Sequence, residues 1–186
     1  MNVMPFDQLN SLEERISIHF DENGKIRSKE DTEDIIDEML DLFLEAYATG
    51  ATLTRIDLGS SYEPSLSDAM KTIDREVAGK TWRERVWDYF DSGGTKADIM
   101  RIAETETHRD SNEASYEMAV RSKAKRKTWH CMMLPTSRDS HIYLDGVSAP
   151  IDGEFYSING GSTLFPGQWG IAEEDVNCLC WLTYSK

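Results

Sequence analysis

No stretch of this 186-residue chain is apolar enough for long enough to cross a bilayer, so a membrane protein is not expected. Residues Met1 to Asn10 lack the basic region and apolar core of a secretory signal, which points to synthesis and residence in a cytoplasm. Cysteines are few: Cys131, Cys178 and Cys180 cannot form a disulfide scaffold, and a Cys178–Cys180 bridge would close a strained, tiny ring. Reduced thiols are expected, either packed as small apolar groups or holding a metal. Positive charge is also short. A formal net charge of −14 disfavours non-specific nucleic-acid binding by the chain as a whole and leaves only local contacts open. There is no internal repeat, low-complexity tract or phosphate-cradling glycine loop. What remains, 39% hydrophobic and 29% charged, is the balance of a soluble globular protein with one core.

The first two thirds predict helices. Ser or Thr is followed three residues later by an acid at Ser11/Glu14, Ser28/Asp31, Ser65/Asp68, Thr81/Glu84 and Thr95/Asp98, each before a periodic segment. From Asp31 to Tyr47 the residues Ile35, Ile36, Met39, Leu40, Phe43 and Tyr47 recur at helical steps, with Asp34, Asp37, Glu38, Asp41 and Glu45 on an acidic face. Gly50, Gly59 and Pro64 punctuate the chain before a helix through Leu66, Met70 and Ile73. A further helix, Thr81 to Phe90, carries Trp82, Val86, Trp87 and Phe90 and ends at Ser92-Gly93-Gly94.

The helix from Thr95 to about Lys127 differs, because Thr105, Arg109 and Asn112 stack along one face with Glu106 beside them. That stripe faces water or forms a hydrogen-bonded seam against the C-terminal unit. Its predicted end, Arg121, Lys123, Lys125, Arg126 and Lys127, complements the helix dipole and is also the one candidate for DNA contact. After it, Trp129–Leu134, Val147–Ile151 and Cys178–Tyr184 predict short strands joined by turns at Asp145-Gly146, Gly160-Gly161 and Pro166-Gly167. The fold class is α+β: four or five helices, then a small turn-rich antiparallel unit, with Trp129, Phe155 and Trp181 filling the core beneath Asp145, Asp152 and Asn177.

Two cysteines spaced by two on a strand project to one face, where Cys178 and Cys180 could share a bound atom. His141 and Asp139 could complete a tetrahedral zinc site, and no other cofactor is expected. The same residues permit a small thiol- or metal-dependent hydrolase, with His141 activating Cys178 or Cys131 and Asp139 or Asp145 orienting the ring. Against that, both thiols sit in apolar strands and not on a glycine-flanked turn. Glu173 and Glu174 read as an ordinary solvated turn.

In order, the chain carries Arg101-Ile102-Ala103-Glu104-Thr105-Glu106, Arg109, Asn112, Trp129, Arg138-Asp139-Ser140-His141, Leu144-Asp145-Gly146, Pro150, Asp152, Phe155, Pro166-Gly167 and Ala172-Glu173-Glu174-Asp175-Val176-Asn177-Cys178-Leu179-Cys180. With these motifs, residues 95–184 resemble the minor head protein family of tailed phages, the phage Mu F-like head morphogenesis proteins. Two departures stand out: Leu179 where the family commonly has Arg, and Asp139 and His141 where many relatives have a C-x-x-C pair. The resemblance implies a structural protein in few copies, made in the host cytoplasm, associated with the portal protein and other head proteins, packaged in the virion and able to touch DNA. No catalytic activity is implied for this domain. Residues 1–94 form a helical region outside the resemblance, and 95–186 form the family domain, together one body.

Overall fold

A computed structural model describes residues 6–186. The signal-peptide reading at Met1–Asn10 therefore falls, for residues 1–5, outside the described residues. Helices α1 (Phe6–Ile16), α2 (Lys29–Leu58), α3 (Leu66–Ile73), α4 (Trp82–Ser92) and α5 (Lys96–Arg121) precede β1 (Arg126–His130). Then follow α6 (Asp139–Leu144), β2 (Ser148–Pro150), β3 (Phe155–Tyr156), β4 (Ser162–Thr163), α7 (Ala172–Asp175) and β5 (Trp181–Ser185). The α+β class holds. An antiparallel sheet of order β2-β1-β5 and a small β3-β4 ribbon make up the strands.

Four of the five caps are where the sequence places them. Ser28, Ser65 and Thr81 accept from the backbone N–H three residues on, and Asp98 accepts from the Thr95 N–H and hydroxyl. Ser11 is the exception, lying inside α1, where its hydroxyl accepts from Arg15. The stripe of α2 is buried at Ile35, Ile36, Met39, Phe43 and Tyr47, and meets α4 where Phe43 packs edge-on against Trp82 at 4.9 Å. Asp34, Asp37, Asp41 and Glu45 stay exposed on the opposite face.

Gly50 does not break α2, which runs on to Leu58. The glycine serves packing: a Cβ there would stand 2.1 Å from the Ser111 carbonyl oxygen on α5, so only a residue without one lets the two long helices approach. Nearby, the Thr54 and Ser115 hydroxyls meet at 2.5 Å across the same crossing. Farther along, Leu53, Thr54, Asp57 and Leu58 of α2 line a crevice against Trp181–Tyr184 of β5.

Helix α5 stops at Arg121, six residues before the predicted end. Lys123 adopts the left-handed conformation, and the Ala124 N–H returns to the Ala119 carbonyl, an arrangement that ends helices. Chain that was read as basic helix therefore becomes turn and strand. Strand β1 spans Arg126–His130 and not Trp129–Leu134, and alternation turns Lys127 and Trp129 inward. The predicted strand at Cys178 likewise begins only at Trp181, and the segment around His141 is a short helix. Beneath the sheet lie Trp129, Phe155, Phe165, Trp169, Leu144 and Leu182. Trp181 is outside this core; its ring stacks on His130 on the other face of the sheet.

Two substitutions test this packing. Gly50→Ala gains about 1 kcal/mol of helix propensity, yet overpacking at the α2–α5 crossing costs about 1–3 kcal/mol, so the variant should melt below the parent. Trp129→Ala should cost about 3–5 kcal/mol by denaturant unfolding, the usual loss for an aromatic removed from a core.

Candidate functional site

The polar stripe of α5 is a seam. Glu106, His108, Arg109, Asp110 and Asn112 are all buried, although the helix has no apolar stripe at these positions. Asn112 Nδ2 donates to the Cys180 carbonyl at 3.0 Å, and His108 Nε2 donates to the same oxygen at 2.6 Å. Burial pushes the His108 imidazole below its ordinary value, which keeps it neutral with the proton on the donating nitrogen. Glu106 receives Arg85 from α4 and Arg109 from its own helix, each at 2.5 Å, and Arg109 also reaches Asp110 at 3.2 Å. Desolvation pushes the Asp110 carboxyl up to about 7, against the pull of Arg109. Gly167, with φ +88°, lies on Arg109: a Cβ would come 3.2 Å from the arginine's Cβ and Cγ, which explains why Pro166-Gly167 occupies that turn. Thr105 shares the seam, while Arg101 is exposed and pairs with Asp98 and the Tyr89 hydroxyl.

Across the seam, His141, Cys178 and Cys180 converge. His141 Nδ1 is 3.6 Å from Cys178 Sγ and 3.4 Å from Cys180 Sγ, and all three residues are buried. The imidazole lies between Trp169, against which it stacks, and the edge of Trp129. Hydrogen bonds from Cys180 and His141 hold the Cys178 thiol well below the ordinary range, and the bond to Cys178 pushes Cys180 up. Burial works against charge on His141, but Cys178 and Glu174 outweigh it and raise the imidazole above its ordinary value.

Asp139 does not join them. It is exposed in the first turn of α6, so the predicted fourth ligand is excluded by position. Glu174 takes its place at the cluster, contrary to the solvated turn read there. Its carboxylate is buried, accepts from Ser140 and Ser157 at 2.8 Å and from Asn159 at 3.1 Å, and stands 2.9 Å from His141 Nε2. Neither Glu174 nor His108 was legible as a site residue, since their partners lie 33 and 72 positions away along the chain.

Other motif residues fix backbone. Asp145 Oδ1 accepts from the Cys131 N–H at 2.8 Å, Gly146 turns with φ +76°, Asn177 takes a left-handed conformation, and Arg138 donates to the Val176 carbonyl. Pro150 closes β2. Asp152 is exposed and acts on Lys127 through its charge.

Of the basic run, Arg121, Lys123, Lys125 and Arg126 are exposed, and Arg121 pairs with Asp68 at 3.2 Å. Lys127 is not available to DNA. It is fully buried, donates to the Leu164 carbonyl at 2.7 Å and lies over the Tyr116 and Phe155 rings. Desolvation pushes its amine down to about 8 from 10.5. Between those values the unfolded chain holds more protons than the folded one, so this lysine makes stability rise with pH from about 8 to about 10.5. In Lys127→Met that rise should vanish, as read from urea midpoints at several alkaline pH values. A rise of the same size in the variant would assign it to other groups.

A family model described as Phage Mu protein F like protein matches residues 59–183. The match begins ahead of residue 95, where the motif resemblance starts, and so takes in α3 and α4. Over 85 residues the chain is 36% identical to minor head protein GP7 of Bacillus phage SPP1, covering 44% of this chain and 28% of that protein. It is 32% identical over 150 residues to NAD(+)–arginine ADP-ribosyltransferase EFV of Enterococcus faecalis, covering 60% of this chain and 30% of that one. The chain thus spans under a third of the length of either relative. No solved structure matches. With two thirds of its length under that model, the chain belongs to the phage Mu protein F-like family.

Proposed function

We propose that this chain is a minor head protein of a tailed phage, recruited through the portal protein during procapsid assembly and carried in the virion. The family match over residues 59–183 carries the reading, and the relative named as a minor head protein supports it. The physical character of the C-terminal unit agrees. Its polar groups are engaged in positioning backbone, as the Cys180 carbonyl and the Asp145 and Arg138 side chains illustrate. Meanwhile Met132, Met133, Leu134, Ile142, Tyr143 and Val147 leave apolar surface exposed on the loop after β1 and on α6 and its exit. Exposed apolar side chains of this size suit docking onto another protein.

A hydrolase has less support. The thiols of Cys178 and Cys180 are buried, and the space beside them, about 30 Å³, is the size of a water molecule. The transferase name belongs to a relative of which this chain covers 30%, and the family match over residues 59–183 does not rest on it. With Lys127 in the core, DNA contact would fall mainly to Lys123, Lys125 and Arg126 on a chain of net charge −14.

Co-expression with the coat, scaffold and portal proteins of the same phage tests the proposal, with the chain quantified in purified procapsids by mass spectrometry. The chain should be present when the portal is supplied and at least about tenfold depleted without it. Ile142→Asp with Tyr143→Asp should deplete it similarly while melting normally, because both side chains are exposed. Equal incorporation with and without portal would remove the portal from the proposal, and absence from all particles would sink it.

A further inference from the structure

The docking role makes no use of the three side chains most tightly gathered inside the C-terminal unit. His141, Cys178 and Cys180 present one nitrogen and two sulfurs that all lie within 4.8 Å of one another. The carboxylate of Glu174, held by Ser140, Ser157 and Asn159, sits 2.9 Å from His141 Nε2. The approach is by distance and not along the N–H direction. Even so, a carboxylate there favours the proton on Nε2, so that Nδ1, once it gives up the proton it shares with the thiols, offers its lone pair to a metal, the arrangement by which a carboxylate orients a metal-bound histidine.

That lone pair faces two sulfurs, at 3.4 and 3.6 Å. A single acceptor needs one thiol, not two at equal reach. Tetrahedral zinc, with Zn–N of about 2.0–2.1 Å and Zn–S of about 2.3 Å, separates a nitrogen and a sulfur ligand by about 3.5 Å. The two observed separations bracket that edge. We propose that His141, Cys178 and Cys180 bind one zinc ion as a structural clip.

Charge balance fits the burial. Two thiolates cancel the dication and a neutral imidazole adds nothing, so the ligand set itself is neutral, and the one charge beside it, the Glu174 carboxylate, is held by Ser140, Ser157 and Asn159. Binding would release to solvent the protons that the two thiols and the imidazole share, with no change of oxidation state. The fourth position opens into the cavity of about 30 Å³ that Cys131, Arg138, His141 and Cys180 line. A water molecule fits there, and Cys131 is the protein group placed to compete for it. Asp139, exposed on α6, takes no part. The clip would join α6 to the chain just before β5. Through the Cys180 carbonyl, bound by His108 and Asn112, it would also brace both against α5.

The test uses the whole chain, expressed in zinc-supplemented medium and purified without a polyhistidine tag. Elemental analysis should find close to one zinc per chain, and a chelator should lower the melting temperature by several degrees, since a ligand that binds only the native state stabilises it. Cobalt(II) added to the stripped protein should give the thiolate charge-transfer band and intense visible bands of a tetrahedral sulfur-ligated site. Cys178→Ser and Cys180→Ser should each lose the zinc and the chelator sensitivity. Should those variants fail to fold, the cobalt spectrum of the unsubstituted chain decides alone. Less than about a tenth of an equivalent of zinc, together with no thiolate–cobalt band, would overturn the proposal. So would zinc that persists in both folded serine variants, because the ion would then lie elsewhere.

Discussion

One carbonyl oxygen, that of Cys180, accepts from both His108 and Asn112, and the C-terminal unit sits where it does because of that pairing. A helix that buries glutamate, histidine, arginine, aspartate and asparagine on one side must find partners for them, since an unpaired buried polar group costs about 1–3 kcal/mol and a charge more. α4 brings Arg85 to Glu106, the segment before β5 brings the Cys180 carbonyl to His108 and Asn112, and Arg109 pairs with Glu106 and Asp110 within α5 itself. The register of the second unit on α5 is thereby fixed by direction-dependent bonds, where an apolar face alone would allow it to slide.

The helical half was legible because its signals are local. Caps at Ser28, Ser65, Thr81 and Thr95 and the stripe of α2 involve residues three or four apart, and each is present in the fold. The errors share a different origin. Gly50 reads as a break until Ser111, sixty-one positions on, comes against it. Lys127 reads as helix-end charge until the chain turns at Lys123 and strand alternation points it inward. Glu174 reads as solvated because Ser140, Ser157 and Asn159 are not adjacent to it in sequence. At the site the convergence of His141 with Cys178 and Cys180 was foreseeable from their chemistry; which acid would accompany them was not, because that depended on a six-residue helix, α6, in a stretch to which no helix was assigned.

Electrostatics divide between surface and interior. The acids of α2 that give the chain much of its charge face water, where they cost little and keep molecules apart. Inside, Arg85, Glu106, Arg109 and Asp110 form a connected set whose desolvation largely offsets its attraction, so it contributes more to specifying one arrangement than to stability. Gly167 packed on the Arg109 side chain ties the Pro166-Gly167 turn to that same set. α5 consequently belongs to two cores at once.

The three-stranded sheet has short flanks. β2 is three residues long and ends in Pro150, which has no N–H to offer a neighbour, and β5 lies against the last turns of α2 across the crevice lined by Leu53 and Leu58. Another strand would find few free ladder groups on one side and a helix on the other. Such a sheet resists edge-to-edge addition of further chains. Between folding and docking, a chain with such edges is less able to seed β-aggregates.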